Sequence, residues 1–167
     1  MSGGGTMLFQ VATWIEATPL AVKITESEWI FPTIETIHVL ALTLVVGSIA
    51  MLDLRLLGIS TRTMGAMQLS DEVLPWTWTA FIVAAITGSL MFVSAATKYY
   101  ANVPFRIKMV LLALAGANML IFHRGAWRQV HEWNERVPTP RGVRIAAGLS
   151  LVFWIGVVVA GRWVGFV

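Results

Sequence analysis

A histidine, His38, and a glutamate one helical turn before it, Glu35, stand inside a long apolar run. An imidazole in hydrocarbon is costly, and an ionisable side chain in a membrane segment is by default a candidate for function. Three residues apart on a helix, the two side chains lie on nearly the same face. The carboxylate can then hold one ring nitrogen by a hydrogen bond while the other binds a metal. The chemistry this pair suggests is a buried redox cofactor or metal near one membrane surface. The competing reading is a His–Glu pair that only ties helices together. The chain has no cysteine, which excludes disulfides, thiolate metal sites, iron–sulfur clusters and c-type haem attachment.

A third ionisable group, Lys108, shares a stripe with Met119 and His123 on another apolar segment. At about 100° per residue the three fall within about 60° of one another, with Asn118 about 80° to the other side. His38 stands about five or six residues, and Lys108 about three, from one end of its segment, so an up-down bundle puts them at similar depth. Glu35, His38 and Lys108 are therefore expected to line one cavity in the outer half. His123 lies roughly 22 Å further along the axis, too far to share a cofactor with His38. It is expected at the inner surface beside Arg124, and His131 in solvent. Asp53 and Arg55, two apart, do not share a face, and each is expected to pair with another helix or with headgroups. Arg144 and Arg162, on one face at opposite ends, read as snorkelling anchors.

The elements that must position these groups follow from composition. Hydrophobic residues make up 57%, charged residues 13%, and the mean hydropathy is +0.74, far from the soluble average of about a quarter charged. Four apolar runs, residues 30–57, 74–97, 105–123 and 143–164, each approach or exceed the roughly 20 residues that span hydrocarbon. The expected fold is all-α: an integral membrane four-helix up-down bundle over residues 30–167, preceded by a flexible and interfacial segment, 1–29. Residues 1–6 are Gly-rich and Glu16 interrupts the stretch that follows, so no signal peptide is expected. Residues 8–17 show helical apolar spacing too short for a span, and Pro19 ends it, which predicts a short interfacial helix. Residues 68–75 read as a surface segment before the second span, and 137–141, with Pro138 and Pro140, as a turn before the fourth. Ala84-xxx-Gly88 and Gly156-xxx-Ala160 offer close helix contacts.

The twelve Lys and Arg residues are spread over the helix ends, which assigns them to lipid headgroups and orientation, not nucleic acid. Arg55, Arg62, Arg124, Arg128, Arg136, Arg141 and Arg144 mark one side; Lys23, Lys98, Arg106, Lys108 and Arg162 mark the other. Seven against five predicts that the first side is cytoplasmic, with both termini periplasmic, in a bacterial inner membrane.

Several segments resemble a known family. His38-Val-Leu-Ala-Leu-Thr-Leu-Val-Val-Gly47 is similar to the His-to-Gly spacing of the CopD copper-resistance membrane domain, and Thr87-Gly88 resembles its mid-helix pair. Phe105-Arg106-Ile-Lys108, His123-Arg124 and the stretch from Arg141 to Arg144 look like its third and fourth helices. His123 stands where that pattern has Asn. The His-bearing first and Lys-bearing third helices also resemble HemJ, a membrane haem b protein of porphyrin oxidation. That relation points to His38 and Lys108.

Three functions compete. In the first, His38 is an axial ligand of haem b in an electron-transfer or quinone-linked subunit, Glu35 orients the ring, and Lys108 and Arg106 neutralise propionates. In the second, His38 with Met51, Met91, Met109 or Met119 handles copper. The third is a structural subunit without cofactor. Partners implied beyond the bilayer are a periplasmic or membrane redox or copper partner and a second copy of the chain. No phosphate loop, nucleophile elbow or HExxH motif occurs, so no soluble-type catalytic centre is expected.

Overall fold

The apolar runs become four long helices in the computed structural model, which describes residues 3–59, 65–134 and 139–166. Arg62, Arg136 and the 137–138 part of the expected turn lie outside the described residues. In chain order the elements are α1 (Gly3–Glu16), α2 (Pro19–Glu26), α3 (Ile30–Leu56), α4 (Ala66–Ser94), α5 (Ala96–Ala101) and α6 (Val103–Arg124). A short 3₁₀ turn (Ala126–Gln129), α7 (Val130–Trp133) and α8 (Arg141–Trp163) follow. No strand occurs among the described residues. The segments α3, α4, the stretch from α6 through α7, and α8 are each long and apolar enough to cross a membrane. The chain is a multi-pass membrane protein.

Local chemistry sets the helix ends. Thr18 caps α2, its hydroxyl accepting from Ala21 N, with Pro19 in the first turn. Asn102 Oδ1 accepts from Phe105 N at 2.9 Å and starts α6. Gly58, at φ 78°, follows the end of α3 in the left-handed conformation while its N–H returns to the Arg55 carbonyl.

The second span differs from expectation. It begins at Ala66, so residues 68–75 are its opening turns, not a surface segment. Pro75 sits inside this helix, whose first turn is capped from elsewhere in the chain. Asn134, just past α7, accepts from Met67 N with Oδ1 at 2.7 Å and from Ala66 N with its carbonyl at 3.1 Å. This borrowed cap compensates the first orphan donors of α4. Gly65 permits it, since a Cβ there would stand 2.9 Å from Asn134 Nδ2. Arg55, fully buried, donates to the Asn134 carbonyl at 3.2 Å, and the Thr139 hydroxyl donates to the Leu56 carbonyl. The arginine-rich end of the bundle is thus knitted through one loop.

The strong packing runs in the series α4–α3–α8–α6. Small residues allow the close approaches: Gly88 faces His38, Gly156 faces Leu111, and Gly161 faces the Lys108 side chain. Ser48 and Thr77 join α3 to α4 by a buried hydrogen bond of 2.8 Å. The seam between α4 and α6 is closed at the end bearing the termini by Phe92, Tyr99 and Phe105, with Phe92 and Phe105 stacked at 5.7 Å. At the opposite end Phe122, Trp127 and Trp133 form a second aromatic group. Helix α1 lies on α5 and α2 on α4. Glu16 Oε1 accepts from both the N–H and the hydroxyl of Thr97 at 2.8 Å, as a short helix tied to the bundle end would.

Candidate functional site

His38 lies eight residues into α3, and Thr87 lies seven residues before the end of the antiparallel α4 (38 − 30 and 94 − 87). The two meet: His38 Nδ1 is 3.0 Å from Thr87 Oγ1. The direction of this bond follows from the rest of the network. Thr87 spends its one hydroxyl proton on the Val83 carbonyl at 2.7 Å, so toward the ring it can only accept. His38 therefore carries a proton on Nδ1, and in the neutral ring Nε2 keeps its lone pair. The Ala84 carbonyl, on the same turn of α4, is a further backbone acceptor for the ring. Gly88 makes this approach possible, since a Cβ there would stand 3.0 Å from His38 Cε1. The imidazole turns its Cε1 edge toward Gly88 and is half-buried.

Lys108 reaches the same region from α6. Its ammonium is close enough for its charge to act on the His38 ring, and its Nζ passes 3.7 Å from where a Gly161 Cβ would be. Among the described residues no carboxylate pairs with it. A half-buried ammonium beside an imidazole makes a locus that favours an anion.

Glu35 plays a different part from the one expected. It is exposed, and the ring nitrogen assigned to it goes to Thr87. Three residues on a helix leave the two side chains about 60° apart, and the glutamate acts on Tyr99 instead. Burial first, and the Glu35 carboxylate second, push the Tyr99 hydroxyl above its ordinary value. Arg106 is exposed two residues before Lys108.

A cavity of about 270 Å³ lies in the other half of the bundle. It is bounded by Asp53, Asn118, His123 and Ser150 among mainly apolar residues of all four long helices; Glu35, His38 and Lys108 do not line it. Asn118 Nδ2 donates to the Ala146 carbonyl at 2.9 Å and fixes α6 on α8. Asp53, 5% exposed, is hydrogen-bonded to Ser150 of α8, as a pairing with another helix requires. His123 is exposed and gives its Nδ1 proton to the Met119 carbonyl at 3.0 Å. It stands at the arginine-rich end, well removed from His38, and His131 is exposed. Among the described residues no three of His, Asp and Glu converge as metal ligands.

Thr87 and the Asp53–Ser150 pair were missed as site residues. For Thr87 the signal existed: a Thr-Gly dipeptide in an apolar helix, at the depth that the antiparallel arrangement sets opposite His38.

The chain belongs to a family of unknown function, DUF6644, whose profile matches residues 12–167. Neither a curated protein nor a solved structure matches the sequence.

Proposed function

We propose that this chain is a membrane redox subunit that binds haem b through His38. The observation supporting this reading is the half-buried His38 ring, whose Nδ1 proton is engaged by Thr87, so that Nε2 is the nitrogen with a lone pair in the neutral ring. Axial histidines have this form: one nitrogen fixed by a polar partner, the other directed to the metal. Thr87 would set the ring's tautomer and plane, a role first assigned to Glu35. Lys108, with no carboxylate partner among the described residues, would neutralise a propionate, and Arg106 would do so nearer the surface. Bound haem b supplies one-electron transfer. The resemblance to HemJ and to the CopD domain is in keeping with this reading, which includes a bacterial inner membrane, both termini periplasmic and a redox partner on that side.

Copper handling is less well supported. Besides the lack of three converging His, Asp or Glu side chains among the described residues, Met51 and Met109 are each 50% exposed. The test is a visible spectrum of the detergent-purified protein, oxidised against reduced, with elemental analysis. A Soret band that shifts on reduction, with about one iron per chain, is expected. No Soret band, with neither iron nor copper present, would overturn the reading.

A further inference from the structure

The cavity in the arginine-rich half has no part in the reading above. Its exposed lining residues are Trp78 and Phe81 on α4 and Met119 and His123 on α6. They place its mouth on the seam between the two helices at the ends of the packing series. In a bilayer that mouth faces lipid, so an occupant would enter from the membrane.

Three features define the occupant. The lining is predominantly apolar, and Trp78, Phe81, Phe122 and Trp154 surround it with rings. The size is limiting: a dry cavity of about 150 Å³ accepts benzene. At about 270 Å³ this one takes a single substituted ring and excludes a porphyrin. The third feature is Asp53, which lines the cavity, is 5% exposed, and keeps its Oδ2 buried with no hydrogen-bond partner. A buried carboxylate oxygen left without a donor calls for a missing partner. Ser150 already serves the same carboxyl group, which leaves the second oxygen for a donor brought by the occupant.

We infer that this cavity binds a lipid-soluble hydroxylated aromatic ring, the chemistry of a hydroquinone, with a ring hydroxyl donating to Asp53 and an alkyl tail leaving between α4 and α6. Stacking on the lining rings orients the headgroup, and the O–H to carboxylate bond separates it from an alkane or a lipid chain. Binding here is independent of His38 and of any haem.

The test is quenching of tryptophan fluorescence by decylhydroquinone in the detergent-solubilised wild type, since Trp78 and Trp154 line the site. Saturable quenching is expected, at least tenfold weaker for the dimethyl ether of the same compound, which has no hydroxyl donor. Asp53→Asn keeps the shape and replaces one acceptor oxygen by an amide N–H, and is expected to weaken binding roughly tenfold. Gly116→Leu introduces a side chain where a Cβ meets nothing within 4 Å on the cavity wall, and is expected to abolish saturation. Equal quenching by hydroquinone and ether, in the wild type alone, would overturn the inference. So would tighter binding of decylammonium, or a Gly116→Leu protein that binds as the wild type does.

Discussion

Replacing Thr87 by Val isolates the side-chain hydrogen bond that helps set the His38 tautomer. The substitution keeps the β-branch and volume, and it releases the Val83 carbonyl to the helix ladder it already belongs to. What changes is the acceptor 3.0 Å from His38 Nδ1. Hydrogen bonds between membrane helices average about 0.6 kcal/mol and reach about 1.7 kcal/mol. At about 1.4 kcal/mol per factor of ten, the ratio of Nδ1–H to Nε2–H forms should fall by roughly threefold to fifteenfold. The Ala84 carbonyl stays in place as an acceptor, which puts the expectation near the lower end. The assay is nitrogen NMR of histidine-labelled protein prepared without haem. His123 is the internal control, because its Nδ1 proton is held by the Met119 carbonyl on its own helix and should not respond. A wild-type His38 that carries its proton on Nε2 would refute the reasoning. So would a tautomer ratio that Thr87→Val leaves unchanged.

Four further outcomes are expected. His38→Ala should abolish haem retention while His123→Ala leaves most of it, as read from the Soret absorbance per protein; equal loss in both would show that the two residues share one ligand set. Asn134→Ala removes the acceptor 2.7 Å from Met67 N and should cost about 1 kcal/mol, the loss typical of a helix cap, seen as a lower midpoint of thermal unfolding in detergent. Glu35→Gln, in a Tyr100→Phe background, should lower the ionisation midpoint of Tyr99 in an ultraviolet difference titration. The carboxylate pushes that midpoint up, and the part due to burial should remain. A cysteine at exposed Glu28 should be labelled from the periplasm and one at exposed Arg128 only after the membrane is opened; the reverse pattern would invert the orientation.

The spans were legible because a run of about 20 apolar residues has almost no other fate in a membrane protein. The start of the second span was harder, since a proline after a charged pair reads as a breaker, and the cap that lets the helix begin at Ala66 comes from Asn134, 67 residues beyond Met67. The same asymmetry governs the site. His38 declared itself by its type and setting, but its partner was sought one turn away on its own helix, where sequence spacing is informative. Thr87, 49 residues distant, needed the relative offset of two helices, which depends on where α4 ends. Asp53 and Ser150 needed more still, because a cavity belongs to no single helix. It exists where the small side chains of α6 and α8, Ala115, Gly116, Ala146 and Ala147, fail to fill the space between four helices. A sequence shows which residues are small, but the void they leave is a property of how the helices cross.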